Sequence, residues 1–544
     1  MQLINAKTEK IITYIFFLSI FLLGINIYDD YGLTLDDEIY LRNAQFYFEY
    51  IRLIFLEGNS EIFSKNIGEL SNELIGETNP FVAPVLFELP IVFITKALNI
   101  NDSKDIYQLS HFANFFIFFI ALIFFYKFIH IKFNSTFYSL LSVLVLCFSP
   151  RIFAESFYNS RDIFYLSLFI FYLYAVHNFL IKQSFKNIFY FSLTSAFLIY
   201  AKVVGILPVA VFIIFYYLNS IKKNNINFHE IKIIIFTFFL ILIFIYILWP
   251  YLWLDPINNL IYSFQWMIGV QNDHVVINYF FGEYISSTNT PWHYRIVWFL
   301  ITTPVVVLFF FVIGFILTLI QVVMGFIKID NVRTDPWINK DELFNFYLFS
   351  IIVLVVFSAI KFNPSQFGSW RHIYFLYPIV IFYFLIGLKF TISLFSKKIY
   401  KNLFFSLIII NFIYIFYWSY TYHPNQQVFF NYFSKEYAKK NFDLDYWGLS
   451  NLSSIKYIME NNKKYPVKIA TISFSSLRDS ILMLDKRIQE NIFVEHDYDK
   501  ADFLITNYMN KTRKNYKIDL KKHEKYFEVI VNGVSINTVY KKIN

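Results

Sequence analysis

Three acids in a row, Asp36, Asp37 and Glu38, interrupt a chain dominated by Phe, Ile and Leu. They stand in "TLDDEIYLRNAQFYF", residues 34–48, just past the first long apolar run. Adjacent carboxylates raise one another's pKa, which helps a carboxylate act as a base of useful strength. Thr34, Asp36 and Asp37 also suit a helix N-terminus, where a side chain caps the first turn and the dipole favours negative charge. Capping needs one such residue, not three acids. After Asp37 the polar residues Arg42, Gln45, Glu49 and Arg52 recur every three or four positions. That period predicts an amphipathic helix with a narrow polar stripe, lying at a membrane surface.

Other ionisable residues stand where apolar runs begin or end: Arg151, Arg161-Asp162, Lys202 and Arg371-His372. In so apolar a chain such groups invite a functional explanation. Snorkelling towards headgroups is the alternative for the cations, and capping a helix is the alternative for Asp162. Trp292, His293, Trp253 and His274 belong to the 251–295 segment. They read either as an interfacial aromatic belt or as platforms that stack on sugar rings.

The elements that must position these residues are membrane helices. Of 544 residues, 57% are hydrophobic and 16% charged, which excludes an ordinary soluble protein. The single cysteine, Cys147, excludes an intramolecular disulfide and a cysteine-based metal site. The net charge of +8 is spread over short loops and the C-terminal tail, with no basic-aromatic patch, so no nucleic-acid partner is expected. Eleven spans are expected, at 10–27, 107–126, 135–149, 162–181, 186–201, 203–219, 231–250, 296–325, 344–361, 371–393 and 401–419. The first is read as a retained helix, because no small-residue cleavage site follows it. Lysine-bearing loops, among them Lys132, Lys182, Lys222, Lys223, Lys328, Arg333 and Lys340, all fall on one side in this threading. The positive-inside rule then makes the N-terminus cytoplasmic and sends the acids, Arg371 and the tail outside.

Residues 81–98 are long enough to cross, but Pro84, Glu88 and Pro90 interrupt them, so an interfacial or re-entrant element is expected. If they cross, the count rises to twelve or thirteen. The expected architecture is a polytopic α-helical membrane protein with outer-face interfacial helices and two domains. Residues 1–444, with a first outer loop at 28–106, form the membrane domain, and 445–544 form a small α/β domain. In the tail, "VKIATISF" and "ADFLITNY" read as strands, and Asn532-Gly533 predicts a type I′ hairpin turn.

"LDDEIYL" after the first helix resembles the Asp-Glu motif of the dolichyl-phosphate-mannose protein mannosyltransferase superfamily, whose bacterial relatives include the lipid A aminoarabinose transferases. "SPRIFAESFYNSRD" (149–162), "AKVVGILP" (201–208), "NTPWHYRIVWFLITTP" (289–304), "RHIYFLYP" (371–378), "HPNQQVFFN" (423–431) and "DYWGLS" (445–450) resemble the same branch, in order. The resemblance covers most of the chain to about residue 450. It implies the GT-C fold and transfer of a sugar from a polyprenyl-phosphate carrier to a protein hydroxyl, lipid A or another envelope glycan, at the outer face of the inner membrane.

The family's catalytic Asp maps onto Asp37, paired with Glu38, and Asp36 is an extra neighbour that competes for the role. Tyr40 stands where eukaryotic members often carry His. An acceptor hydroxyl or amine attacks the anomeric carbon and a carboxylate takes its proton, so Asp37 is the expected general base. One displacement inverts the centre without a second nucleophile. The leaving phosphate needs cations, expected to be Arg371, Lys202, His372 and Arg161. Asp162, Arg151, Tyr40, Trp292, His293 and Glu88 are the expected positioning groups. Asp162 and Asp37 sharing a divalent ion is an alternative, but two acids do not make a metal site, and no metal or other cofactor is assigned. Two further readings are a transporter or lipid flippase, which would favour midplane charges and internal repeats, and a non-catalytic scaffold. The charges here cluster at span ends and no repeat is evident.

Overall fold

The computed structural model describes residues 6–57, 84–222, 228–269, 275–326, 337–509 and 522–543. Lys223, His274, Lys328 and Arg333 lie outside the described residues. The helices in the N-terminal half are α1 (Ala6–Ile27), α2 (Asp37–Glu57), α3 (Glu88–Ala97), α4 (Ser103–Phe133), α5 (Thr136–Cys147), α6 (Pro150–Tyr158), α7 (Asp162–Ile181), α8 (Phe185–Ala201), α9 (Ile206–Lys222), α10 (Phe228–Leu248) and α11 (Pro256–Gly269). A hairpin of β1 (Ile277–Phe280) and β2 (Glu283–Ser286) follows, then α12 (Tyr294–Thr302), α13 (Val305–Phe326), α14 (Lys340–Phe362), α15 (Tyr377–Leu394), α16 (Lys398–Thr421) and α17 (Lys435–Asn441). A 3₁₀ turn, Arg371–Leu376, leads into α15.

Among the described residues, nine helices are long and apolar enough to cross a membrane: α1, α4, α7, α9, α10, α13, α14, α15 and α16, with α9 and α15 taken together with their leading turns. The chain is a multi-pass helical membrane protein. Three expected spans take a different form. Residues 135–149 become the 12-residue α5, which meets α6 at a 67° bend and makes a tenth crossing only if the bent pair is one span. Pro150 at the first position of α6 explains the break, since its ring fits a helix start but not a helix interior. The expected 296–325 span is split at Pro304 into α12 and α13. At 186–201 the helix α8 has 17 residues. The described part of 81–98 forms α3, whose ten residues reach only about 15 Å, half of a bilayer core.

The most enclosed spans are α7 and α15, 78% and 72% buried over their most apolar stretches. Both begin at the same end of the bundle, with Asp162 and Arg371. Connectors at the opposite end meet one another: Lys132 pairs with Asp341 at 2.8 Å, Lys340 Nζ donates to Ile181 O at 3.0 Å, and Lys222 donates to Trp337 O. Lys132, Lys222 and Lys340 thus share one end of the bundle.

Helices α13 and α15 cross at Gly314 and Gly387. A Cβ on Gly387 would lie 2.1 Å from Phe310 O, and one on Gly314 would lie 1.9 Å from Tyr383 O. Backbone carbonyls cannot swing aside, and close backbone approach is how small residues hold membrane helices together. Gly387→Ala is therefore expected to lose stability at the upper end of the roughly 1–3 kcal/mol typical of overpacking. Thermal unfolding in detergent checks this; an unchanged midpoint would mean that the helices part freely.

The C-terminal domain contains α18 (Ser450–Asn461), α19 (Leu477–Leu482), α20 (Lys486–Gln489) and a mixed five-stranded sheet. Its strands β3 (Val467–Thr471), β4 (Ile492–Val494), β5 (Phe503–Thr506), β6 (His523–Val531) and β7 (Val534–Lys542) are ordered β4-β3-β5-β7-β6. Asn532 and Gly533, at φ 51° and 75°, make the β6–β7 turn, as a type I′ turn requires. The domain docks on the membrane part through Leu33 and Tyr107, packed with Leu452, Ile455 and Leu477. Beside them Ser103 Oγ donates to Leu482 O at 3.0 Å, and Lys104 pairs with Asp485 at 2.8 Å.

Candidate functional site

The three consecutive acids point three ways. Asp37, the first residue of α2, turns back: its Oδ2 accepts the Thr34 N–H at 2.7 Å and ties the helix start to the chain before it. Asp36 faces the bundle, where its Oδ2 accepts from Tyr40 Oη at 3.2 Å and lies 3.9 Å from Arg371 Nη2. Glu38 pairs with Arg42 one turn on and with Arg478 of α19 at 3.4 Å. The contact to the preceding chain and the charge cluster thus use different acids of one run.

Asp162 anchors the other side. Its Oδ2 meets Arg371 Nη1 at 3.0 Å and Asn159 Nδ2 at 3.0 Å, and its Oδ1 pairs with Lys202. It does not cap α7 through its side chain, because both oxygens are already engaged; instead its own N–H donates to Asn159 Oδ1 at 2.9 Å. Arg161 lies 3.7 Å over the Tyr40 ring and 3.8 Å from Glu88 Oε1, and donates to Pro84 O. Glu88 also accepts from Ser160 Oγ at 2.9 Å. Tyr40 is thus held by Arg161 on its face and holds Asp36 through its hydroxyl.

Seven of the expected residues, Asp36, Tyr40, Glu88, Arg161, Asp162, Lys202 and Arg371, therefore form one connected cluster, with Asp37 and Glu38 on its rim. The Arg371 guanidinium also faces the rings of Trp447 and Phe367, at 4.5 and 4.9 Å. Its Nε is buried without a hydrogen-bond partner among the described residues. The cations Arg371, Lys202 and Arg161 are matched by the anions Asp162, Asp36 and Glu88, so the inner cluster carries no excess of either charge. His372 is beside it, its ring 5.0 Å from Phe367 and its Nε2 unpartnered.

Three expected residues stand apart from the ion-paired group. Arg151 donates to Ser369 Oγ at 3.2 Å and stacks over Trp298 at 5.1 Å. Trp292 is 63% exposed, and His293 packs near Phe280, Phe281 and Trp292. Neither points to the acids through any contact.

Sequence reasoning missed several neighbours. Glu155 accepts from Tyr374 Oη at 2.7 Å and from Asn159 Nδ2 at 2.6 Å, so Asn159 ties it to Asp162. The four-residue spacing of Glu155 and Asn159 was a readable signal, because it puts two buried polar groups on one helical face. Arg478 and Asp479 come from the C-terminal domain, and no local pattern marks them.

Burial pushes the Asp37 carboxyl up to about 8, with the charges of Asp36 and Asp479 adding to it and the Thr34 hydrogen bonds opposing it. The residue as a whole is half-buried, but its carboxyl end is enclosed. Burial likewise raises Asp479 to about 6, helped by Glu38 and Asp36. The site thus holds a carboxyl that becomes a strong proton acceptor once ionised, with Asp36 between it and the charge-balanced ion-pair cluster. Among the described residues, no three His, Cys, Asp or Glu side chains are grouped to hold a metal ion. Comparison with protein-family models gives no match, and comparison with curated proteins gives none either.

Proposed function

We propose that this chain is an inverting glycosyltransferase that moves a sugar from a polyprenyl-phosphate carrier to an envelope acceptor: a protein hydroxyl, lipid A or another glycan. It works at the outer face of the inner membrane, with its N-terminus in the cytoplasm. The observation that carries the reading is the convergence of Asp36, Asp37 and Glu38 with Arg371, Lys202 and Arg161 at one end of an apolar bundle, under the C-terminal domain. An acceptor oxygen forms the new bond to the anomeric carbon while the carbon–oxygen bond to the carrier phosphate breaks, its electron pair leaving with the phosphate. The acceptor proton passes to Asp37, and Arg371 and Lys202 stabilise the released phosphate. Arg371 Nε is a donor left over for that purpose.

Sugar transfer in proteoliposomes, from a panel of polyprenyl-phosphate sugars to membrane-extract acceptors, tests the reading. Transfer by the wild type supports it; substrate-loaded vesicles that show transport without transfer would replace it with a carrier. The pH profile gives a second test. A base whose pKa is raised to about 8 becomes active as pH rises through that value. The kcat/KM is therefore expected to climb about tenfold per pH unit below 8 and to level above it. Asp479→Asn removes a like charge and is expected to move this limb to lower pH. A flat profile from pH 6 to 9 would remove Asp37 as the base.

A further inference from the structure

The stretch from Asp443 to Trp447 borders two places at once. Tyr446 and Trp447 face the Arg371 guanidinium, at 6.0 and 4.5 Å. Asp443 lines a separate cleft of about 380 Å³ between the β1–β2 hairpin, α17 and the C-terminal sheet. That volume is within the roughly 300–1,000 Å³ of ordinary small-molecule pockets. The position in the sheet also suits a ligand. The chain runs from β3 to β4 on one side and then to β5 on the other, so the strand order reverses at β3. Ligand crevices of open α/β sheets lie outside the carboxyl ends of strands at such a reversal. Asn507, directly after β5, lines this cleft.

Two tyrosines and two lysines set its chemistry. The rings of Tyr279 and Tyr284 lie 5.0 Å apart on the hairpin. An aromatic face is a platform for the C–H face of a sugar ring, because its negative quadrupole meets partly positive hydrogens. Lys439 and Lys440 come from α17. Lys439 pairs with Glu436 at 2.6 Å, but that side chain is 71% exposed, and such surface pairs are weak. Lys440 makes no ion pair among the described residues. Asp443 is the single acid among the described lining residues. Its Oδ2 accepts the Tyr279 N–H at 2.9 Å, and its Oδ1 has no partner among the described residues. Burial raises its carboxyl to about 7, so its charge only partly offsets the lysines. A peptide adding as a strand finds less here. The open edge of β1 is already taken, with Phe442 bridging Phe280 and Asp443 N donating to Tyr279 O at 3.1 Å.

We infer that this cleft binds an acidic saccharide, with a ring on Tyr279 and Tyr284, the anionic group on Lys440 and Lys439, and a hydroxyl donating to Asp443. Its role as an acceptor subsite rests on the transferase reading and gives the acceptor a class: an acidic glycan that extends along 443–447 towards the acid cluster. Binding itself needs neither donor nor turnover.

The test is isothermal titration of the purified full chain, in a neutral detergent, with trigalacturonate and with glucose 6-phosphate. Maltotriose supplies sugar rings without charge, and triglutamate supplies charge without sugar. At least one acidic sugar is expected to bind about tenfold or more tighter than both controls, and the stronger of the two tells carboxylate from phosphate. Lys440 is exposed and Tyr284 is 39% exposed, so their replacement leaves the fold intact. Lys440→Met and Tyr284→Ala are each expected to weaken binding by about fivefold or more. Lys435→Met, on the same helix but outside the cleft, is expected to leave it within about twofold. Binding of neither acidic sugar, or equal binding of maltotriose, would overturn the proposal. Equal binding of triglutamate would overturn the glycan assignment in favour of an acidic peptide. Equal losses from Lys435→Met and Lys440→Met would reduce the effect to surface charge and overturn the cleft. Sugar transfer is read separately: binding without transfer keeps the cleft but not its acceptor role, and transfer without binding overturns the cleft alone.

Discussion

Asp162→Asn is expected to destabilise the folded chain by about 3–5 kcal/mol, the usual loss when one partner of a buried ion pair is removed. The carboxylate is enclosed, with its side chain 1% exposed, and it serves Lys202 and Arg371 together. Asparagine keeps the size and one acceptor oxygen, so the lost term is charge. Arg371 would retain Asp36 at 3.9 Å, but among the described residues Lys202 would have no carboxylate left, only the Tyr165 ring at 5.2 Å. The double variant Asp162→Asn/Lys202→Met removes a cation along with the anion and is expected to recover part of the loss. Thermal unfolding in detergent, run as a four-member cycle, gives the coupling. A single-variant loss below about 1 kcal/mol, the size of an exposed pair, would mean that water screens the cluster.

This pairing explains why the site was only partly legible in the sequence. The acids, Arg161-Asp162, Lys202 and Arg371 stood out because each breaks an apolar run, and a charge at a span end has few inexpensive environments. Membership was therefore readable, but partnership was not. Nothing local says that Asp162 takes two cations while the buried Arg151 takes, among the described residues, no carboxylate. The spans followed the hydropathy pattern where proline was absent or stood in the first turn of a helix, as Pro208 and Pro378 do. They failed at Pro304, where one expected span is two helices, and at 135–149, where the helix is only 12 residues long. The C-terminal hairpin was legible because Asn532-Gly533 carries its own turn geometry. The contribution of Arg478 to Glu38 depends on domain docking between residues 440 positions apart, for which a sequence pattern holds no period.

Asp37→Asn is expected to lower sugar transfer by about 10²–10⁴-fold, the range that a positioned general base supplies. The loss would be chemical, not structural. A carboxyl raised to about 8 in the folded chain favours folding in its neutral form, so its contribution is full below the unfolded carboxylate range and disappears as pH rises through 8. Asparagine is neutral at every pH and can still accept the Thr34 N–H, so the variant should fold at least as well as wild type at pH 8. Asp36→Asn makes the needed comparison. Asp36 is the acid that touches Arg371 and Tyr40, so its loss should loosen the cation and raise KM, with a smaller fall in kcat. Should Asp36→Asn carry the large kcat loss while Asp37→Asn stays active, Asp36 is the base and the transferase reading stands. Should both variants transfer sugar at wild-type rates, the acids at 36–37 are structural, and proton abstraction must come from elsewhere in the cluster.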